Sequence, residues 1–372
     1  MHAIVLALIL PAFIIALAAA ALARRVSTRL GALDSAPRPG QIKAPPRRIP
    51  NTGGIGIFLG LAIPLAAAIL ALSLAPDFIT SIAPSTRVHL EGMIERLPVA
   101  IAVLAGLTIL HILGLIDDRK PLGPILKLAV MLAVAAAVII FTQTRLLTMF
   151  DSHVGGSWLS IALTVLWFVV IINAINFIDN MDGLAAGVAA IAAACLLASA
   201  LIAGQWFVAA LLALTLGSAL GFLCLNFPPA RIFMGDGGSL VLGFLLAFLS
   251  VRATYIPQGL ISPQPHAFLT PLVILAVPLY DFISVVFIRL RQGRNPFIGD
   301  LQHFSHRLVQ RGLSPRSAVL VIYGCTVVTA LGGVALPTLA PWQATLIGSQ
   351  TLLVLLVLAL LEGSASRSSP SP

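Results

Sequence analysis

Runs of about 20 apolar residues recur along the whole chain, each long enough to cross the hydrocarbon core of a bilayer as a helix. They fall near residues 3–23, 53–75, 97–116, 123–141, 158–175, 184–203, 206–225, 238–251, 268–290, 318–336 and 343–361. Backbone polar groups in lipid must be satisfied within the segment, and strand-like alternation is absent. The eleven runs therefore predict an all-α, polytopic integral membrane protein. Of 372 residues, 59% are hydrophobic and 9% charged, with a mean hydropathy of +1.04, which excludes a soluble globular domain. A single transmembrane domain over residues 1–362 and a short polar tail over 363–372 are expected.

The eighth run, "GSLVLGFLLAFLSV", is short enough to be re-entrant or buried, and charge arbitrates. If all eleven runs span, eighteen of the 22 Lys and Arg residues fall on one side, against Arg87, Arg96, Arg145 and Arg252 on the other. That asymmetry is what the positive-inside rule requires, and dropping the eighth span would move the six arginines from Arg289 to Arg316 outside. The eighth run is thus expected to span, with the N-terminus outside and the C-terminus cytoplasmic. The first run has no basic region before its apolar core, so it reads as a retained span rather than a signal peptide. Cys195, Cys224 and Cys325 lie in apolar runs without paired spacing and suggest neither disulfides nor a zinc site.

The acids supply the functional reading. Asp117, Asp118, Asp179, Asp182, Asp236 and Asp300 all fall on the cytoplasmic side, although topology was assigned from Lys and Arg alone. In "HILGLIDDRKPLG", Asp117 and Asp118 are adjacent at a helix end, where two carboxylates repel and call for a cation or a proton. A solvated end beside Arg119 and Lys120 is the plain alternative. In "NFIDNMDGLAAG", Asp179 and Asp182 share one face if helical, and the cluster of Asp and Asn oxygens suits magnesium. In "NFPPARIFMGDGGSLVLGF", Asp236 opens a helix, where it either meets an anion site or simply caps the helix.

The last basic loop, "RLRQGRNPFIGDLQHFSHRLVQRGLSPRS", sets orientation and attracts anionic lipid, and its His303 and His306 suit a phosphate or a sugar better than zinc. Asp281 lies eight residues before Arg289, roughly 12 Å inside the helix, where a buried carboxylate needs a partner. Lys127 reads as snorkelling, His111 as a hydrogen-bonded core histidine, and Gly56 with Gly60 as a small-residue packing face. Together these features describe an acid-rich, magnesium-compatible site ringed by arginines at a membrane surface, which fits phosphoryl chemistry on a lipid.

Five motifs in order, "TGGIGI", "GLIDD", "NFIDNMDGLAAG", "NFPPARIFMGDGGSLVLG" and "DLQHFSHRL", resemble those of the polyprenyl-phosphate N-acetylhexosamine-1-phosphate transferases, glycosyltransferase family 4. The resemblance implies transfer of a sugar-1-phosphate from a UDP-sugar to a polyprenyl phosphate, with release of UMP, in the bacterial cytoplasmic membrane. It implies Asp236 and Asn176 as ligands of magnesium, or of manganese in its place, with Asp117 as base and Asp118 as its acidic partner. It assigns Asp179, Asp182 and Asn226 to the nucleotide and diphosphate pocket, Phe233 to stacking on uracil and Lys127 to the phosphates. His303, His306 and Arg307 would handle the sugar and diphosphate.

Two departures shape the expectation. The muramoyl-pentapeptide branch carries three consecutive histidines, whereas Phe304 and Ser305 separate His303 from His306 here, so the chain is closer to the GlcNAc-type branch. The first cytoplasmic loop has Lys43, Arg47 and Arg48 but no histidine. The muramoyl-pentapeptide activity stays open as the alternative, and a membrane transporter as the alternative from another class. CDP-alcohol phosphatidyltransferases share an Asp-x-x-Asp-Gly opening, but the apolar run after Ala186 lacks the rest of their motif. Membrane lipids are expected around the chain, a homodimer is an open assembly, and no nucleic-acid partner is expected.

Overall fold

A computed structural model describes residues 1–31, 49–253, 255, 264–293 and 303–363. Lys43, Arg47, Arg48, Asp300 and the polar tail after Gly363 lie outside the described residues. Every one of the eleven apolar runs folds as helix: α1 (His2–Arg29), α2 (Gly54–Leu74), α3 (Leu97–Arg119), α4 (Pro124–Thr142), α5 (Trp158–Ile178) and α6 (Leu184–Ile202). They continue as α7 (Trp206–Asn226), α8 (Asp236–Arg252), α9 (Ala276–Arg291), α10 (Pro315–Ala335) and α11 (Pro341–Gly363). No strand occurs among the described residues.

Nine of these helices are long and apolar enough to cross a membrane, or ten if one bent pair counts as a single span. That pair is Pro265–Ile274 followed by α9, which meet at 68° around Leu275. Pro278 explains the break, because it offers no N–H to the carbonyl of Ile274 and its ring crowds that carbonyl. The remaining helix, α8, has 17 residues and is roughly 25 Å long. It is buried from Gly237 to Ser250. Protein rather than lipid surrounds it, mainly α2, α3, α5 and α6.

Lipid tails are as apolar as leucine, so burial alone does not drive these helices together, and close packing must. Gly56 and Gly60 supply it on α2. A Cβ on Gly56 would lie 2.6 Å from the Cβ of Ala20, and one on Gly60 2.8 Å from the Cβ of Ala16, so α1 and α2 meet backbone to backbone. Around α8, Phe168 on α5 meets Phe244 and Phe248 edge-on, with ring centroids 5.7 and 6.5 Å apart, an arrangement aromatic quadrupoles favour.

A close approach also joins α3 to the first turn of α8. A Cβ on Gly114 would come within 2.4 Å of the backbone of Asp236 and Gly237, which have no flexible end to move aside. Gly114→Ala should therefore lower the thermal midpoint in detergent, at a cost of about 1–3 kcal/mol for overpacking. Gly348→Ala, with nothing within 4 Å, should leave it unchanged. Equal midpoints for the two variants would refute the contact.

Candidate functional site

The antiparallel bundle brings alternate helix ends to one side, and the acidic motifs occupy those ends. Asp117 and Asp118 close α3, Lys127 lies in the first turn of α4, and Asn176 in the last turn of α5. Asp179 and Asp182 sit between α5 and α6, Asn226 ends α7, and Asp236 begins α8.

Four of these side chains form one connected cluster. Asn176 Nδ2 donates to Asp236 Oδ1 at 2.7 Å and to Ser239 Oγ at 2.8 Å. Lys127 Nζ donates to Asp236 Oδ2 and stands 3.7 Å from Asp117 Oδ2. Asp117 is buried, its carboxyl touches that of Asp236, and its Oδ1 accepts the Leu122 N–H at 2.8 Å. Two carboxyls in contact need a cation or a proton between them, and the Lys127 ammonium supplies the cation. Lys127 thus points inward to the site rather than snorkelling to the interface. A small cavity of about 80 Å³ opens beside the cluster, lined by Asp117, Lys127, Asn173, Asn176 and Phe177 among others.

Asp118 has a different place. Its Oδ1 accepts the backbone N–H of Asp236 at 3.0 Å and its Oδ2 that of Gly237 at 3.2 Å, so this carboxylate from α3 caps α8. Asn51 Nδ2 holds it from the other side at 3.1 Å. Asp236 itself makes no capping bond and its carboxylate is left for Lys127 and Asn176. The residue before it, Gly235, has φ +69°, and a Cβ there would meet Asp118 Oδ2 at 2.5 Å, so both conformation and space require glycine. His111 supports the same junction, donating from Nδ1 to the Gly237 carbonyl at 2.7 Å while stacking on Phe58 at 4.3 Å.

The neighbouring loops are tied together through side chains. Asn226 is buried, accepting the Gly183 N–H and donating to the Ile232 carbonyl, both at 2.8 Å, so it frames the pocket by fixing two backbone segments. Asp182 Oδ2 accepts the Ala230 N–H at 2.9 Å. Asp179 is half-buried, and burial followed by the nearby charges of Asp236, Asp118 and Asp182 pushes its carboxyl well above the usual carboxylate range. Phe233 is half-buried in a loop pinned to the residues before α2: its N–H donates to Pro50 at 2.8 Å and its carbonyl accepts from Gly53 at 2.9 Å.

The segment after residue 302 docks onto α5 and α9. His303 is 4% exposed, and its Nδ1–H donates to Asp281 Oδ2 at 2.8 Å. Asp281, fully buried, also accepts the Phe304 N–H at 3.4 Å. Ser305 Oγ donates to Asn180 Oδ1 at 2.6 Å, and Asn180 Nδ2 to the Phe177 carbonyl at 2.8 Å. Phe177 joins this latch to the cavity, with the His303 ring 6.0 Å away and the Arg289 guanidinium 5.2 Å over its face. His306 and Arg307 follow half-buried on the short helix Phe304–Gln310.

Sequence reasoning singled out the acids but missed Asn51, which supports Asp118, and Ser239 and Ser305, which hold Asn176 and Asn180. Hydroxyl and amide partners have no charge or spacing that marks them, and each gains its role only from a residue more than 60 positions away.

Fold and site together define a polytopic helical membrane protein with an oxygen-rich, cation-holding cluster at one end of the bundle. Residues 100–254 match the model of glycosyl transferase family 4, a stretch holding α3 to α8 and every member of the cluster. The chain is 32% identical over 331 residues to the "Probable undecaprenyl-phosphate N-acetylglucosaminyl 1-phosphate transferase" of Bacillus subtilis (strain 168), covering 87% of this chain and 82% of that one. It is 33% identical to the decaprenyl-phosphate N-acetylglucosaminephosphotransferase of Mycobacterium tuberculosis, covering 83% and 76%. With the undecaprenyl-phosphate alpha-N-acetylglucosaminyl 1-phosphate transferase of Escherichia coli (strain K12) identity is 26%, covering 84% and 79%. The chain belongs to glycosyl transferase family 4 and is a bacterial multi-pass membrane phosphotransferase.

The Asp281–His303 pair yields a test of the latch. Asp281→Ala strands the His303 N–H and the Phe304 N–H in a buried position, a loss of about 1–3 kcal/mol for each unsatisfied group. The midpoint should fall further in Asp281→Ala than in His303→Ala, and the double variant should lose less than the sum of the two. Strict additivity in that cycle would refute the pairing.

Proposed function

We propose that the chain transfers GlcNAc-1-phosphate from UDP-GlcNAc to a polyprenyl phosphate, giving polyprenyl-diphospho-GlcNAc and UMP. One observation carries this reading: the Asp117, Lys127, Asn176 and Asp236 cluster lies in the family-matching segment, beside a cavity at the membrane-facing helix ends. An oxygen of the lipid phosphate attacks the phosphorus that bears the sugar. A new P–O bond to the lipid phosphate forms, the P–O bond to the nucleotide breaks, and the electron pair leaves with UMP.

Magnesium fits the donor set. Among the described residues no three His, Cys, Asp or Glu side chains form a cage, but magnesium usually takes one or two carboxylates and fills its shell with water and phosphate oxygens. Asp236 would supply the carboxylate and Asn176 its amide oxygen. When bound, the ion would neutralise the donor diphosphate and the developing charge on UMP.

The chain's own residues do the remaining work. Asp117 takes the proton of the lipid phosphate if it arrives as the monoanion, and Lys127 holds the phosphates through charge. Asp118 and Asn226 hold the frame, Asp179 and Asp182 border the nucleotide and diphosphate, and Phe233 offers its ring to uracil. His306 and Arg307 reach the sugar and diphosphate, and His303 positions them through Asp281. Direct attack is favoured over a phospho-aspartate because a phosphate oxygen is already a competent nucleophile. The site faces the cytoplasm of the bacterial inner membrane, a reading supported by the excess of Lys and Arg on that side.

The relatives support GlcNAc over the muramoyl-pentapeptide alternative, since all three compared are N-acetylglucosaminyl or N-acetylglucosamine phosphotransferases by name. A transporter would place free ionisable groups at mid-bundle, whereas the deep Asp281 is occupied by His303.

Purified protein given magnesium, undecaprenyl phosphate and radiolabelled UDP-GlcNAc should release UMP and label the lipid, and EDTA should stop both. Asp236→Ala should reduce turnover by ~10³-fold or more, and Asn176→Ala by about 10–100-fold. A panel of UDP-sugars in which another donor outperforms UDP-GlcNAc would reassign the sugar. Trapping a phospho-aspartate without lipid acceptor would overturn direct attack.

A further inference from the structure

A cavity of about 850 Å³ lies at the opposite end of the bundle from the carboxylate cluster. It gathers the start of α1, the end of α2, the starts of α3 and α7, and the ends of α4 and α8. Its deeper wall is apolar, formed by residues such as Val5, Leu8, Leu65, Ile69 and Leu214. Its volume is in the range of sites that bury a drug-sized ligand, enough for a headgroup and part of a hydrocarbon chain.

The rim of this greasy cavity is cationic. Arg145, Arg96 and Arg252 all line it, with His89 beside them. Arg145 is already neutralised, with Nη1 2.6 Å from Asp151 Oδ2 and 3.0 Å from Ser160 Oγ. Arg252 is half-buried and donates only to neutral groups, the Thr142 carbonyl at 3.2 Å and Thr144 Oγ1 at 3.4 Å. Arg96, at the start of α3, is close enough for the two guanidinium charges to repel. Among the described residues neither has a carboxylate within ion-pair distance, and residues 254 and 256–263, which follow Arg252, contain no Asp or Glu.

Two like charges held together at the mouth of an apolar cavity are unfavourable alone and favourable with an anion between them. A phosphate oxygen pair matches the planar fork of a guanidinium, and two forks can bridge one phosphate. Trp206 also lines the cavity and packs against His89 at 6.0 Å and His2 at 4.9 Å. Such an indole marks the level of lipid headgroups. Phosphate at the rim and hydrocarbon below is the chemistry of a phospholipid in its own leaflet.

We propose that this cavity is a binding site for an anionic phospholipid, its phosphate bridging Arg96 and Arg252 and one acyl chain lying against Val5, Leu8, Leu65 and Leu214. The site occupies the leaflet opposite the reaction and stands independently of the proposed transferase activity.

Native mass spectrometry of the detergent-purified full chain, titrated with phosphatidylglycerol, phosphatidylcholine or undecaprenyl phosphate, tests it. Phosphatidylglycerol should bind at least five-fold more tightly than phosphatidylcholine. The double variant Arg96→Gln/Arg252→Gln should reduce its affinity to that of phosphatidylcholine, and the single Arg96→Gln, at an exposed position, should give an intermediate loss. Arg87→Gln removes a charge from the same end but outside the cavity, and should bind as the wild type does; a loss equal to that of Arg96→Gln would show general surface attraction and overturn the site. Unchanged affinity in the double variant, or equal affinity for the two phospholipids, would also overturn it. Tighter binding of undecaprenyl phosphate in competition with phosphatidylglycerol would reassign the occupant and refute the phospholipid.

Discussion

The meeting of the end of α3 with the start of α8 is the constraint on which the candidate site depends. Gly114 lets the two backbones touch, and Asp118 then reaches the N–H groups of Asp236 and Gly237. With that capping done from another helix, the first residue of α8 keeps its own carboxylate for other partners. An ordinary helix with Asp at its N-terminus would spend the side chain on itself. Here the adjacent acids of "GLIDD" divide the work: Asp118 builds the junction, while Asp117 faces Lys127 and Asp236.

That division also explains how a chain with few charges tolerates several acids beside apolar helices. Lys127 offsets part of the negative charge, the positive end of α8 offsets another part, and Asn176 with Asn51 supplies neutral donors. Asp179 is pushed toward its neutral form by burial and by the neighbouring charges of Asp236, Asp118 and Asp182. Electrostatics of this kind are stronger in a low dielectric than at a wet surface, which is why the cluster can be small.

The helices were legible because hydropathy over 20 residues records whether a segment must satisfy its own backbone, and each of the eleven runs did so. Two things were not. The shortness of α8 left its surroundings undecided, since a 17-residue helix with so short an apolar run suits a core helix as well as a span, and only the packing of its neighbours shows that it is enclosed. The break before α9 has a local cause in Pro278, yet its 68° angle is set by tertiary contacts. Within the site, charged residues declared themselves by being costly in such a chain. Asn180 carries neither charge nor spacing that marks it in "NFIDNMDG", yet it is the acceptor for Ser305, 125 positions on. Asp281 announced the need for a partner without naming it, and the partner is His303.

The two ends of the bundle use charge in opposite ways, and the difference follows from what each must hold. At the acidic end each carboxylate of the cluster meets a donor from another helix, so the proposed site is preorganised by the fold itself. At the other end Arg96 and Arg252 line one cavity, and among the described residues neither meets a carboxylate. A preorganised reaction centre benefits from internal satisfaction, because strain or mobility there would be felt as misplaced reactants. A lipid site benefits from the reverse: its missing counter-charge comes from the membrane, so the surrounding bilayer completes the electrostatics of the fold.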